Sequence, residues 1–213
     1  MLKKPGKPNY EIPKAHCPIV LLCTMAKVLT AIMAEDISYL VKKEALLPVS
    51  HYGRRPGRMT TDAVHVLVER VKSAWRRGKA VSVLYLDVEA AFPNAVTDRL
   101  LHNLRRRRVP KVYVCFVEQI LKDRRTRMKF DDYLSEFIHL LNGIGQGDPL
   151  SMILYILYNA DLLEIALAPE EEALGFVDDA LALVEGKTFK DNVATLTDFM
   201  NREGGGFCLV QGA

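Results

Sequence analysis

The 213-residue chain is 49% hydrophobic and 26% charged, with a formal net charge of +3. That composition excludes a disordered chain and suits one globular domain, or two small ones, with a sizeable core. Four cysteines (Cys17, Cys23, Cys115, Cys208) match no CxxC metal pair and no signal peptide is legible, so an intracellular setting, nuclear or cytoplasmic, is expected.

An extended, Pro- and Lys-rich entry covers residues 3–18. The run "PIVLLCTMAKVLTAIMA" is shorter than the ~20 apolar residues of a membrane span and has Lys27 at its centre. Its positions Leu22, Met25, Leu29, Ile32 and Met33 follow helical spacing, which predicts a core helix over 20–43. The loop "PVSHYGRRPGR" follows, and Thr60 or Thr61 is placed to cap a second helix. That helix carries Val64, Leu67, Val68, Val71 and Trp75 on one stripe and stops at Gly78.

"AVSVLYLDV", residues 80–88, is β-branched and nearly continuously apolar, which predicts a buried strand ending at Asp87. Helices are expected over 95–107 and 111–122, split by Pro110. A hairpin with Asp131 and Asp132 near its turn comes next. In "GIGQGDPLSMILYILYNADLL", Asp148 is placed to cap and Pro149 to open a long helix over 149–167. A second hairpin bends at Asp178 and Asp179, and a last helix covers 188–202.

Helices and strands mixed with hairpins, without regular βαβ alternation, predict an α+β fold: an antiparallel sheet with helices packed on one face. In that architecture Asp87, Asp178 and Asp179 meet at one sheet end, although "FVDD" alone is ordinary turn chemistry. Three close carboxylates raise one another's pKa, and divalent cations are the obvious counter-charge. Oxygen-only ligands suit Mg²⁺ or Mn²⁺, and two such ions about 3.5–4 Å apart serve phosphoryl transfer. Basic clusters ("KKPGK", "GRRPGR", "WRRGK", "RRRR" at 105–108, "KDRRTRMK") suit a polyanion. Together these features point to a nucleoside triphosphate and a nucleic acid as substrates.

The ordered motifs "LDVEAAF" (86–92), "GIGQGDPLS" (143–151) and "FVDD" (176–179) resemble the palm motifs of reverse transcriptases. "LKKPGKPNY", "GRRPGRMTTDA" and "NGIGQGDPLSMILYILYNADLL" extend the likeness to fungal non-LTR (LINE-type) retrotransposons, over roughly 2–205. The resemblance implies a right-hand polymerase: partial fingers over 1–79, a palm over 80–205 interrupted by helices at about 95–122, and a tail at 206–213. A fragment is expected, lacking the thumb and the upstream endonuclease of the parent element. It implies Asp87 and Asp178 as catalytic metal ligands for two Mg²⁺ (or Mn²⁺) ions, with Asp179 assisting and the Val88 carbonyl completing a site.

Phe92 matches the aromatic that excludes a ribose 2′-hydroxyl, Gln146 and Gly147 match the loop at the incoming nucleotide and template, and Arg55 and Arg58 match a triphosphate-holding fingers loop. Cys17 stands where the family's "YRPI" has an arginine, and His51 where a glutamine is usual. The implied partners are an RNA template, a DNA primer and dNTPs, with no membrane. The implied activity is RNA-directed DNA polymerisation. The alternative is an inactive remnant that at most binds nucleic acid. A two-metal nuclease of RNase H type explains the acids but not "QGDPLS".

Overall fold

The computed structural model describes residues 1–12, 15–55 and 57–202. The tail expected at 206–213, with Cys208, lies outside the described residues. In chain order the elements are β1 (Leu2–Lys3), β2 (His16–Cys17), α1 (Thr24–Lys43), α2 (Thr60–Arg76), β3 (Ala80–Leu86), α3 (Thr97–Arg106) and α4 (Lys111–Leu121). Then follow β4 (Arg125–Thr126), β5 (Lys129–Phe130), β6 (Tyr133–Leu134), β7 (Ile138–His139), α5 (Pro149–Asn159), a 3₁₀ turn (Ala160–Leu163), β8 (Glu171–Phe176), β9 (Asp179–Gly186) and α6 (Phe189–Asn201). The chain forms two compact units, one from Met1–Ile37 and Phe92–Ser151, the other from Ser38–Ala91 and Met152 onward.

The second unit is built on a three-stranded antiparallel sheet in the order β3-β9-β8. Its central strand β9 is buried over Ala180 and Ala182–Glu185, so it reads as apolar on both faces. Leu84 and Leu86 share one face with Ala180 and Ala182, and Phe199 of α6 and Leu162 and Leu163 of the 3₁₀ turn cover it. Small residues there are a packing requirement: a Cβ on Gly175 would lie 2.7 Å from Leu163 Cδ1. Asn192, fully buried on α6, donates from Nδ2 to the Ala80 carbonyl at 3.1 Å and to Ser82 Oγ at 3.2 Å, and so ties helix to strand.

In the first unit α3 packs on α4 through buried Leu100, Leu104, Val114 and Val117. The expected hairpin is present, with β5 paired to β6 across Asp131 and Asp132 and β4 paired to β7 below them. Asp148 accepts from the Leu150 N–H at 3.0 Å and Pro149 opens α5, as its sequence predicts. The long helix, however, tightens into the 3₁₀ turn after Asn159 instead of continuing to 167.

Two further expectations are corrected. The cap of α2 is not Thr60 or Thr61: Met59 is the N-cap, and Asp62 reaches back to accept its N–H at 2.6 Å. The apolar stripes of α1 and α2 also face the wrong way. Met25, Leu29 and Ile32 are 79%, 49% and 53% exposed, and Trp75 is 65% exposed. The buried positions are Thr30, Ala34, Ile37 and Val41 on α1, and Ala63 and Ala74 on α2. Helical spacing identifies a face, but which face is covered depends on what packs against it. No helix among the described residues is long and apolar enough to cross a membrane.

Glu171 and Glu185 are buried against basic partners. Glu171, 7% exposed, takes two hydrogen bonds from Arg202 at 2.6 and 2.7 Å and accepts from the Leu167 N–H at 3.0 Å. Arg202 holds the Glu171 carboxyl below the usual carboxylate range, ahead of the opposing cost of burial. Removing one partner of a buried pair leaves the other charge unmatched, so Arg202→Met is expected to cost about 3 kcal/mol in chemical denaturation. Because the folded pKa of Glu171 is depressed, its contribution is present above the unfolded value and lost as pH falls through the folded one. Glu171→Gln should therefore remove part of the acid-induced loss of melting temperature.

Candidate active site

β3 stops at Leu86, and its pairing with β9 runs Leu84↔Ala182, Tyr85↔Leu181, Leu86↔Ala180. One step further, the same register sets Asp87 opposite Asp179. β8 returns to β9 through Phe176↔Asp179, leaving Val177 and Asp178 as a two-residue turn. All three acids therefore sit at one end of one sheet. By strand alternation Asp87 and Asp179 lie on the face away from α6, together with Tyr85, which is 70% exposed. Asp87, Val88 and Asp179 are exposed and Asp178 is half-buried.

Like charges placed directly across a ladder repel. The Asp179 carboxyl accordingly titrates above its usual value, through partial desolvation first and then the charges of Asp178 and Asp87. Tyr155 on α5 is 1% exposed, and its hydroxyl is pushed up by burial and then by Asp178, Tyr158 and Asp87. In the sequence Tyr155 is one more member of an apolar helical run, with only its phenol to distinguish it; the tertiary structure brings it within reach of the acids.

Among the described residues no three His, Cys, Asp or Glu side chains come close enough to hold a metal ion by themselves. That arrangement still fits Mg²⁺, which is usually held by one or two carboxylates plus substrate phosphates and not by an all-protein cage. The donors present are oxygens alone, and their mutual repulsion is the kind a cation relieves.

Phe92, Gln146 and Gly147 belong to the first unit, where a glycine-rich loop joins them. Ile144 N–H donates to the Phe92 carbonyl at 2.8 Å and Gly143 N–H to the Ala95 carbonyl at 2.7 Å. Gln146 accepts at its backbone carbonyl from Val20 N–H at 2.8 Å, and its Oε1 accepts from the Cys17 thiol at 3.5 Å. Cys17, standing where an arginine was expected, thus orients the glutamine. Gly147 adopts φ +104°, and a Cβ there would lie 3.3 Å from the Val20 carbonyl oxygen.

Arg55 and Arg58 are engaged by their own loop. Arg55 donates to the Pro48 carbonyl at 2.9 Å and the His51 carbonyl at 3.4 Å, while Arg58 donates to the Val49 carbonyl and lies over the Tyr52 ring at 4.9 Å. In this structure both guanidiniums brace the backbone of residues 48–52.

Gly143 has φ +89°, and a Cβ there would stand 2.4 Å from the Pro93 carbonyl oxygen. Gly143→Ala should therefore lose at least about 2 kcal/mol of stability in denaturant titration, from left-handed strain and backbone overlap together.

Residues 2–205 match the family model described as reverse transcriptase (RNA-dependent DNA polymerase). The chain is 28% identical over 208 residues to the probable RNA-directed DNA polymerase from transposon X-element of Drosophila melanogaster, covering 95% of this chain and 22% of that protein. It is 28% identical over 196 residues to the corresponding protein from transposon BS and 22% identical over 206 residues to the RNA-directed DNA polymerase from mobile element jockey, both of Drosophila melanogaster. These alignments cover 92% and 94% of this chain but 20% and 22% of those relatives.

Among solved structures, a Candida tropicalis telomerase with a fragment of telomeric RNA superposes with a TM-score of 0.58 at 11% identity, over 84% of this chain and 31% of that one. An apo telomerase from the same organism, truncated of its C-terminal domain, gives 0.56 at 13%, over 84% and 36%. At such identities the likeness is one of fold, that of polymerase palm and fingers. With the family's motifs matched along nearly its whole length, the chain belongs to the reverse transcriptase family, as a domain of the kind found in non-LTR mobile elements.

Proposed function

We propose that the chain is the core of an RNA-directed DNA polymerase that adds dNTPs to the 3′ end of a DNA primer on an RNA template. The observation that carries this reading is the acidic end of the β3–β9–β8 sheet, where Asp87, Asp178 and Asp179 share one field in a chain of this family. The primer 3′-oxygen bonds to the α-phosphorus of the dNTP, and the bond to the β-phosphate oxygen breaks to release pyrophosphate. Two Mg²⁺ (or Mn²⁺) ions, when bound, supply the counter-charge that favours the attacking alkoxide and the leaving pyrophosphate.

The residues of the chain do the holding. Asp87 and Asp178 are the principal ligands, Asp179 adds negative field, and the Val88 carbonyl is the backbone oxygen next to Asp87. Gln146 and Gly147 border the incoming nucleotide, where a glycine lets the backbone approach a ligand closely. The half-buried Phe92, pinned through its carbonyl to Ile144, is the ring against which a ribose 2′-hydroxyl collides. Arg55 and Arg58 contribute to the triphosphate only after release from the carbonyls they now hold. An intracellular site of action, nuclear or cytoplasmic, suits a nucleic-acid substrate and the free Cys17, Cys23 and Cys115. The finer likeness to fungal elements rests on motif wording.

The test is metal-dependent extension of a DNA primer on an RNA template. Asp87→Asn or Asp178→Asn should lower the rate by about a hundredfold or more at unchanged melting temperature, as misplacement of the reacting atoms does. Retained activity in either variant rejects the assignment. Absence of extension by the unaltered chain, with primer–template binding intact, favours a nucleic-acid-binding remnant. Phe92→Val should raise ribonucleotide incorporation relative to dNTPs, and an unchanged ratio makes Phe92 an ordinary packing residue.

A further inference from the structure

Val177, the first residue of the acidic turn, has φ +61° and is 9% exposed. A β-branched residue in the left-handed region costs on the order of 1–3 kcal/mol, so its surroundings must impose it. Only the first loop residue has positive φ, the pattern of a II′ hairpin turn, where glycine is the usual occupant. The next residue is Asp178, so the backbone angle at Val177 sets where that carboxylate points.

The surroundings include the segment Ser50–Gly53, which runs along the outer edge of β8. Gly175 N–H donates to the Ser50 carbonyl at 3.1 Å, Tyr52 N–H donates to the Gly175 carbonyl at 2.8 Å, and His51 forms a parallel bridge to Gly175. Gly53, the following residue, then meets the turn itself. A Cβ on Gly53 would lie 2.7 Å from Val177 Cγ2, 2.7 Å from the Val177 backbone nitrogen and 3.1 Å from the His51 ring. Rotating a side chain relieves the first contact but not the second. Gly53 is outside the left-handed region, so what the position requires is space, not an unusual φ. The segment is itself held, by Arg55 on the Pro48 and His51 carbonyls, by Arg58 on the Val49 carbonyl, and by burial of His51 to 1%.

We infer that Gly53 is a positioning residue for the acidic turn: its bare backbone seats against Val177, keeps that residue left-handed and so aims Asp178. This rests on the reading of Asp178 as a metal-holding acid. It assigns the segment Ser50–Gly53 a role in supporting the chemistry from behind, through the backbone of the hairpin.

The test uses the intact 213-residue chain as wild type, Gly53→Ala, Val177→Gly and the double variant, followed by amide hydrogen exchange without metal and by Mn²⁺ binding in electron paramagnetic resonance. In Gly53→Ala, exchange over residues 174–182 should rise about tenfold or more while α6 stays protected, a local opening and not a global one. Mn²⁺ affinity should fall about tenfold, the lower end of what losing support for a metal ligand costs. Adding Val177→Gly, which removes Cγ2 and frees the turn backbone to shift its nitrogen away from the added Cβ, should bring both readings back toward those of Val177→Gly alone.

Unchanged turn exchange in Gly53→Ala, or losses that simply add in the double variant, overturns the inference. Should Gly53→Ala exchange throughout, the double variant decides: recovered protection supports the Gly53–Val177 contact, and continued unfolding refutes it. Equal Mn²⁺ binding by wild type and Asp178→Asn sinks the metal reading on its own, and turn exchange still decides the role of Gly53.

Discussion

The register of β3 against β9 is the constraint from which the acidic end of the sheet follows. With Leu86 opposite Ala180, the apolar side chains of both strands reach the face covered by α6, and Asp87 comes level with Asp179. Because side chains alternate, a slip of one residue would turn Leu84 and Leu86 away from Phe199 and carry the acids out of line. Apolar burial therefore fixes the placement of carboxylates that contribute nothing to the core. The repulsion among them is small beside the burial energy of that face, and so persists in the folded state.

Charges elsewhere in the same unit are treated differently. Glu171 is clamped by Arg202 and two backbone amides, and Glu185, 5% exposed, meets Arg77 and Lys79. Both of these buried acids have basic partners. At the hairpin end, by contrast, acids face one another. At that end a cation would relieve the repulsion, and a merely structural turn gains nothing from stacking like charges.

The first unit shows how glycines shape the 143–147 loop. Gly143 and Gly147 take left-handed angles, and backbone hydrogen bonds fasten the loop between the 92–95 turn and the 17–20 segment. Phe92 and Gln146 are thereby joined through main chain, which side-chain substitutions perturb little. Cys17, in the place of an expected arginine, meets Gln146 Oε1 at 3.5 Å.

The sequence by itself determined the element order, the two hairpins, the Asp148–Pro149 start of α5 and the acids at the ends of β3 and the β8–β9 turn. These are local: they follow from β-branched runs, turn residues and capping chemistry within a few positions. Only the tertiary structure decided which helical stripe is covered. Met25, Leu29 and Trp75 have the right spacing for a core, yet the neighbours pack on Thr30, Ala34 and Ala74. It also decided the partners of Arg55 and Arg58, the proximity of Tyr155 to the acids and the seating of Gly53 against Val177. Gly53 is 124 positions from Val177 (177 − 53), and nothing local to either encodes the contact. Periodicity says that a face exists, but what lies against it is settled by packing between segments remote in the chain.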